Sequence, residues 1–279
     1  MIKNILFGID GSVFGDTARD YAIDLALRLN AQLEAVHVVD SRMMDFPLIA
    51  PQSGVMSWNP GLLNGLQESL RERGETLLRE TADRGQSAGI SMVTALEFGH
   101  PAQVLAEVQN RTELLVLGRQ GEHAKSAPDI TGSTMERVIR RAIRPCLVTP
   151  ASFQPISRIL VGVDGSVTGA KALHEAVELA NALNIPLIIL SVAGRESDRP
   201  AADKNVLEAH SLARAHDCAA ASLTAIGAPA TGIIDQAVQT GSSLIVMGSH
   251  GHGWIYERLI GSTAAHVASL APMPVLLVR

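Results

Sequence analysis

The chain has 279 residues, enough for two domains, and its 47% hydrophobic and 18% charged residues form a globular balance rather than a disordered one. A formal net charge of -5, with lysines only at Lys3, Lys125, Lys171 and Lys204, gives no broad basic surface and argues against a nucleic-acid partner. Two cysteines without motif spacing, an early aspartate at Asp10 and no apolar run of membrane-spanning length predict a cytoplasmic protein with no signal peptide and no membrane insertion.

Aromatic residues make up only 3%, so the core must be built from Leu, Ile, Val and Ala, a palette suited to parallel sheets covered on both faces. The apolar run Ile5–Ile9, bounded by Gly and Asp, predicts a buried strand. Ala18, Tyr21, Ala22, Leu25, Ala26 and Leu29 then share one face of a helix. Leu33–Val39 is the second strand. The segment Asp40 to Pro60, rich in Met, Pro, Gly and Ser, is a long insertion, either a lid or a disordered loop. A long charged helix follows from Gly61 to near Ala88, then a strand at Met92–Leu96. Pro101 suits the first turn of a helix ending near Asn110. Strands Leu114–Leu117 and Cys146–Val148 flank a helix from Thr134 to near Ala142.

The chain then repeats itself. Residues 2–12, IKNILFGIDGS, return as ISRILVGVDGS at 156–166. Gly118 returns as Gly248, and Gly132-Ser133 as Gly261-Ser262. The second copy has strands near Ile159–Val163, Leu187–Val192, Ser222–Ile226, Leu244–Met247 and Val275–Val278, with helices near Thr168–Leu183, Ala201–Ala215, Pro229–Thr240 and Ser262–Ser269. Only Ala193 to Pro200 stands where the first copy has its insertion. Two prolines, Pro150 and Pro155, mark the linker, so the expected domains are 1–150 and 156–279. Strand–helix alternation of this kind predicts an α/β fold with parallel sheets and right-handed crossovers.

The segment 248–267, GSHGHGWIYERLIGSTAAHV, carries the chemistry. Glycines let a backbone turn tightly and approach a ligand, and their amides form an anion nest. Gly261-Ser262 opens a helix, whose free amides and dipole attract phosphate, and Ser262 and Thr263 add hydroxyls. Asp164 ends the first strand of its copy. In an open parallel sheet that end borders the ligand cleft, so Asp164 either accepts from a ribose hydroxyl or adenine amino group or caps the following helix. His250 and His252 have no nearby third ligand, so a solvated loop is the expected role. Cys146 and Cys218 read as small buried hydrophobes. Arg137, Arg140, Arg141 and Arg144 read as cations favoured at a helix C-terminus.

The spacing G-x2-G-x9-G-S, with its flanks IVMGSHGHG and APMPVLLVR and the opening VDGS, resembles the ATP-binding signature of the universal stress protein family, and the resemblance spans nearly the whole chain twice. It implies two tandem Rossmann-like, adenine nucleotide α-hydrolase-like domains, each a five-stranded parallel sheet in the order 3-2-1-4-5 with helices on both faces. It also implies an ATP-binding stress regulator, the alternatives being a nucleotide-free dimerising scaffold or a slow ATPase. Carried over residue by residue, Asp164 and Val192 flank the adenosine, Met247 lies near the base or ribose, and Gly248, Gly251, Gly261, Ser262 and Thr263 hold phosphates. In the first copy Asp10, Val38, Leu117, Gly118, Gly121, Gly132 and Ser133 occupy the equivalent positions, but ten residues, Glu122 to Thr131, stand where the second copy has nine. That loop either absorbs the extra residue or loses its nest. Arg119, His123 and Lys125 make it the more basic of the two.

No Gly-x-x-x-x-Gly-Lys-Ser/Thr sequence is present, and the 248–263 loop offers only Arg258 as a fixed cation. Phosphoryl transfer needs cations and a positioned base, so the expected activity is binding, with slow hydrolysis at best. Magnesium or manganese would arrive with the nucleotide. Family members often pair through their last strands, which predicts an intramolecular pseudo-dimer here and leaves room for a homodimer.

Overall fold

The computed structural model describes residues 2–43, 60–121, 134–251 and 260–279. The first half runs β1 (Asn4–Gly8), α1 (Val13–Leu29), β2 (Gln32–Asp40), α2 (Pro60–Ser87), β3 (Met92–Gly99), α3 (Pro101–Val108), β4 (Leu114–Gly118), α4 (Thr134–Arg141) and β5 (Cys146–Thr149). The second runs β6 (Ile159–Gly162), α5 (Val167–Leu183), β7 (Leu187–Ala193), α6 (Arg199–Ala215), β8 (Ala220–Ile226), α7 (Pro229–Gln239), β9 (Leu244–Gly248), α8 (Ser262–Leu270) and β10 (Val275–Val278). Each predicted strand and helix is present within a few residues. Most of the insertion, residues 44–59, lies outside the described residues, as do 122–133 and 252–259.

Ten strands form one sheet in the order β3-β2-β1-β4-β5-β10-β9-β6-β7-β8. Read from the outer edge inwards, each half has the expected order 3-2-1-4-5, and all its internal pairs are parallel. The two last strands meet antiparallel, with Val275 opposite Val148, Leu276 opposite Leu147 and Leu277 opposite Cys146. The predicted pseudo-dimer is therefore built within the chain. Because the seam is antiparallel, the carboxyl ends of the strands in the two halves point to opposite edges of the sheet.

Parity decides the layers. Leu244 and Val246 face the core shared with α1, α2, α5 and α6, while Ile245 and Met247 face the core shared with α3, α4, α7 and α8. The central strands β4, β5, β9 and β10 are apolar on both faces, as a sheet covered twice requires. The linker folds back on α1. Phe153 packs edge-on against Tyr21 at 4.8 Å, Gln154 N donates to the Tyr21 hydroxyl (3.2 Å), and Arg28 donates to Ile156 O (2.8 Å). Burial raises the Tyr21 pKa and keeps it protonated.

Two arginines bridge the seam. The Arg119 guanidinium, directly after β4, donates to the carbonyl of Ala271, the C-cap of α8. Arg279, directly after β10, donates to Arg140 O (3.1 Å) and Ala142 O (2.7 Å) at the carbonyl end of α4. The helix end assigned from sequence to its own arginines is therefore also held by a cation from the other half.

Candidate functional site

The site of the second half begins with the turn after β6. Asp164 Oδ1 accepts from Ser166 N (3.0 Å) and Ser166 Oγ (2.5 Å). Ser166 in turn accepts from Gly169 N (3.0 Å) and is the N-cap of α5. This corrects the capping alternative for Asp164: Ser166 caps the helix, and Asp164 orients the cap through one oxygen. Gly165 between them has φ +78, a left-handed conformation that favours glycine.

The other oxygen faces the glycine loop. A Cβ on Gly251 would stand 3.0 Å from Asp164 Oδ2, so the bare glycine lets the loop close over the carboxylate. Gly248 lies as close to α5: a Cβ there would fall 2.8 Å from Thr168 Oγ1 and 2.9 Å from the Thr168 carbonyl carbon. Thr168 Oγ1 donates to His250 O and pins the loop to the first turn of α5. Ser249 N donates to Val278 O (2.7 Å), and Ser249 Oγ shares a hydrogen bond with His250 Nδ1 (2.8 Å).

The far side of the cleft is the start of α8. Gly261 is its N-cap in extended conformation, and Gly261 N donates to Ser249 O (2.8 Å). A Cβ on Gly261 would stand 3.4 Å from Ser249 O and 3.5 Å from His250 Cα, so this glycine faces the same loop. Ser262 is exposed and Thr263 half-buried in the first turn. Asp164, Gly248, Gly251 and Gly261 thus converge at one sheet edge from the ends of β6 and β9 and the amide end of α8. Such an arrangement offers a carboxylate on one side and the amide end of a helix on the other, which suits a ligand with hydroxyl or amino donors and an anionic tail.

Two further predicted residues lie beneath the cleft. Val192 is half-buried on β7, with Gly232 of α7 so near that a Cβ there would meet Val192 Cγ1 at 3.1 Å. The Met247 side chain is 6% exposed and packs in the core with Ile260 and Ala264, so what it offers the cleft is its main chain.

The first half repeats the turn. Asp10 Oδ1 accepts from Ser12 N (3.0 Å) and Ser12 Oγ (2.6 Å), Ser12 caps α1, and a Cβ on Gly121 would stand 3.0 Å from Asp10 Oδ2. Val38 is half-buried and Leu117 buried. Phe14 takes the place of Thr168, and a Cβ on Gly118 would fall 2.7 Å from Phe14 Cβ. Gly132, Ser133, His123 and Lys125 lie outside the described residues. Burial lowers the Arg119 pKa, and its Nε is buried without a hydrogen-bond partner among the described residues.

Among the described residues no three metal-ligating side chains cluster, and His252 of the histidine pair lies outside them. Among them, too, no helix is long and apolar enough to cross a membrane. Both cysteines are buried and unbridged, and burial pushes the Cys146 thiol up to about 12. Sequence reasoning missed Thr168, whose signal was its position four residues after Asp164, and Arg119 as a bridge, for which no local signal exists.

Known proteins match the chain end to end. It is 30% identical over 294 residues to a universal stress protein of Synechocystis sp., covering 100% of both chains. It is 27% identical to one of Mycobacterium tuberculosis, over 99% of this chain and 96% of that one. The crystal structure of a universal stress protein from Archaeoglobus fulgidus matches 99% of this chain and 96% of that one, with a TM-score of 0.75 at 18% identity, which shows the fold. The Universal stress protein family matches twice, over residues 1–150 and 155–279. With a duplicated fold, duplicated turn chemistry and a duplicated family match, the chain belongs to the universal stress protein family.

Proposed function

We propose that the protein binds an adenine nucleotide, ATP foremost, mainly in its second half, and acts in the cytoplasm as a stress-response regulator that reports nucleotide occupancy. The observation that carries this reading is the meeting of Asp164 Oδ2 with Gly251 at 3.0 Å from a would-be Cβ, beside the amide end of α8. Asp164 accepts from the ribose or the adenine amino group. Val192 and the Met247 main chain flank the adenosine. Gly248, Gly251, Gly261, Ser262 and Thr263 hold the phosphates through amides and hydroxyls. A magnesium or manganese ion bound to the phosphates would offset their charge.

The second half is favoured because Thr168 fixes its loop, whereas the first half has Phe14 there and one more loop residue. Asp10, Val38, Gly118, Gly121, Gly132 and Ser133 are the corresponding contacts of a weaker first site. The working units are 1–150 and 156–279. With only Arg258 in the 248–263 loop, hydrolysis is slow at best. A scaffold that pairs by its last strand is disfavoured, since β5 and β10 already occupy each other. A homodimer would have to use other surfaces.

The test is the purified protein, denatured and examined by mass spectrometry for released nucleotide, with stoichiometry per chain. An adenine nucleotide near one per chain, abolished by Gly261→Val, is the expected result. Protein that binds no adenylate in calorimetry, with Gly261→Val indistinguishable from wild type, overturns the reading.

A further inference from the structure

Arg119 and Arg279 stand in matching places relative to the two clefts. Arg119 follows Gly118, the last residue of β4 and the start of the first half's glycine loop, and its main chain is tied to the seam by Arg119 N donating to Thr149 O (3.1 Å). Arg279 follows Val278, which pairs with Gly248 at the start of the second half's loop. Each side chain crosses to the opposite half and grips the carbonyl end of a helix there: Arg119 the end of α8, Arg279 the end of α4. The antiparallel seam makes this possible, because the ligand edge of one half borders the floor of the other.

We propose that Arg119 and Arg279 are positioning residues that couple the two clefts, each rising from the loop edge of one half and setting the helix that faces the cleft of the other. This rests on the nucleotide reading above for its effect on affinity, but not for its effect on the helix. The helix α8 is nine residues long, roughly 13 Å, and moves as a rod. A guanidinium at its carbonyl end meets the negative pole of its dipole. At its other end Gly261 N bonds to Ser249 O and Ala265 N to Gly261 O, so a shift of the rod is felt where the phosphates would lie. Arg119 is held at both ends, by its main-chain bond to Thr149 O and its side-chain bond to the Ala271 carbonyl. A change in the first half's loop therefore moves a group with little slack. By linkage the effect is reciprocal.

Hydrogen exchange on the full chain reads the coupling without ligand, and calorimetry with ATP reads it with ligand. Arg119→Ala should speed exchange several-fold at the Gly261 and Ala265 amides relative to those of β1, and weaken ATP binding in the second half roughly fivefold, at the low end of typical coupling. Arg119→Lys, which keeps a cation and a donor, should restore most of both. Arg195→Ala, at a side chain 81% exposed, is the control and should change neither. Exchange at Gly261 and Ala265 in Arg119→Ala equal to that in Arg195→Ala overturns the proposal, as does a rise of the same size in β1, which would report general loosening. If the wild type binds no ATP, the nucleotide reading falls and the exchange result alone decides the coupling.

Discussion

Among the described residues the two clefts share one architecture, and a telling difference lies in the first turn of the helix after the aspartate. In the second half Thr168 reaches across to His250 O and ties the glycine loop down. In the first half Phe14 occupies that place and sets a Cβ, rather than a hydroxyl, against Gly118. The carboxylate, the serine cap and the glycine opposite it are the same to within 0.1 Å where they can be compared, including 3.0 Å from a Cβ built on each second glycine to the second carboxylate oxygen. Duplication has therefore preserved the part of the site that makes a turn and altered the part that fixes the loop.

The comparison can be broken first at the shared frame. Leu147 and Leu276 oppose each other across the seam and are 1% and 2% exposed. Truncating either to alanine should cost roughly 2–5 kcal/mol, and the two values should agree, since both empty the same junction from opposite sides. Urea denaturation of both variants measures this, and a large inequality would mean that one half carries the seam.

A second test separates the clefts. Gly251→Val should weaken ATP about a hundredfold, ~2.7 kcal/mol, because a side chain there would press on Asp164 Oδ2. Gly121→Val makes the same intrusion on Asp10 in the first half. If the second half is the main site, calorimetry will show the first substitution removing most of the binding and the second little.

Smaller effects sharpen the comparison further. Ser12→Ala and Ser166→Ala each remove a cap and should each destabilise by ~1 kcal/mol, read by thermal unfolding, but only the second should also loosen ATP, because Ser166 orients Asp164. Cys146 gives a difference in pH response. Its folded pKa of about 12 lies above the ordinary 9.0, so the native state keeps a proton that the unfolded chain loses. Its contribution is intact below pH 9 and declines as pH rises from 9 towards 12. Replacing Cys146 by Ala should flatten the alkaline limb of the stability curve, and replacing Cys218, whose thiol burial also raises, should act in the same direction.

Much of the fold was legible because parallel strands buried on both faces write themselves as short apolar runs, and because every run occurs twice. Asp164, Gly251 and Gly261 were legible as a group because glycine spacing constrains backbone, which is local. What sequence could not give was contact across long separation. Ser166 rather than Asp164 as the cap depended on a choice between two side chains two residues apart. The bridge from Arg119 to Ala271 spans 152 residues and leaves no periodic trace. The core placement of Met247 follows from strand parity, which was available, yet motif matching drew attention to the residue and away from the direction of its side chain.

The head-to-head junction of β5 and β10 also has a geometric outcome for whatever reads this protein. The two mouths open on opposite rims of the molecule, facing away from one another. A binding partner seated over one mouth leaves the other accessible, so a single chain has the geometry of a two-ended connector, with each end free to be occupied by a different reader.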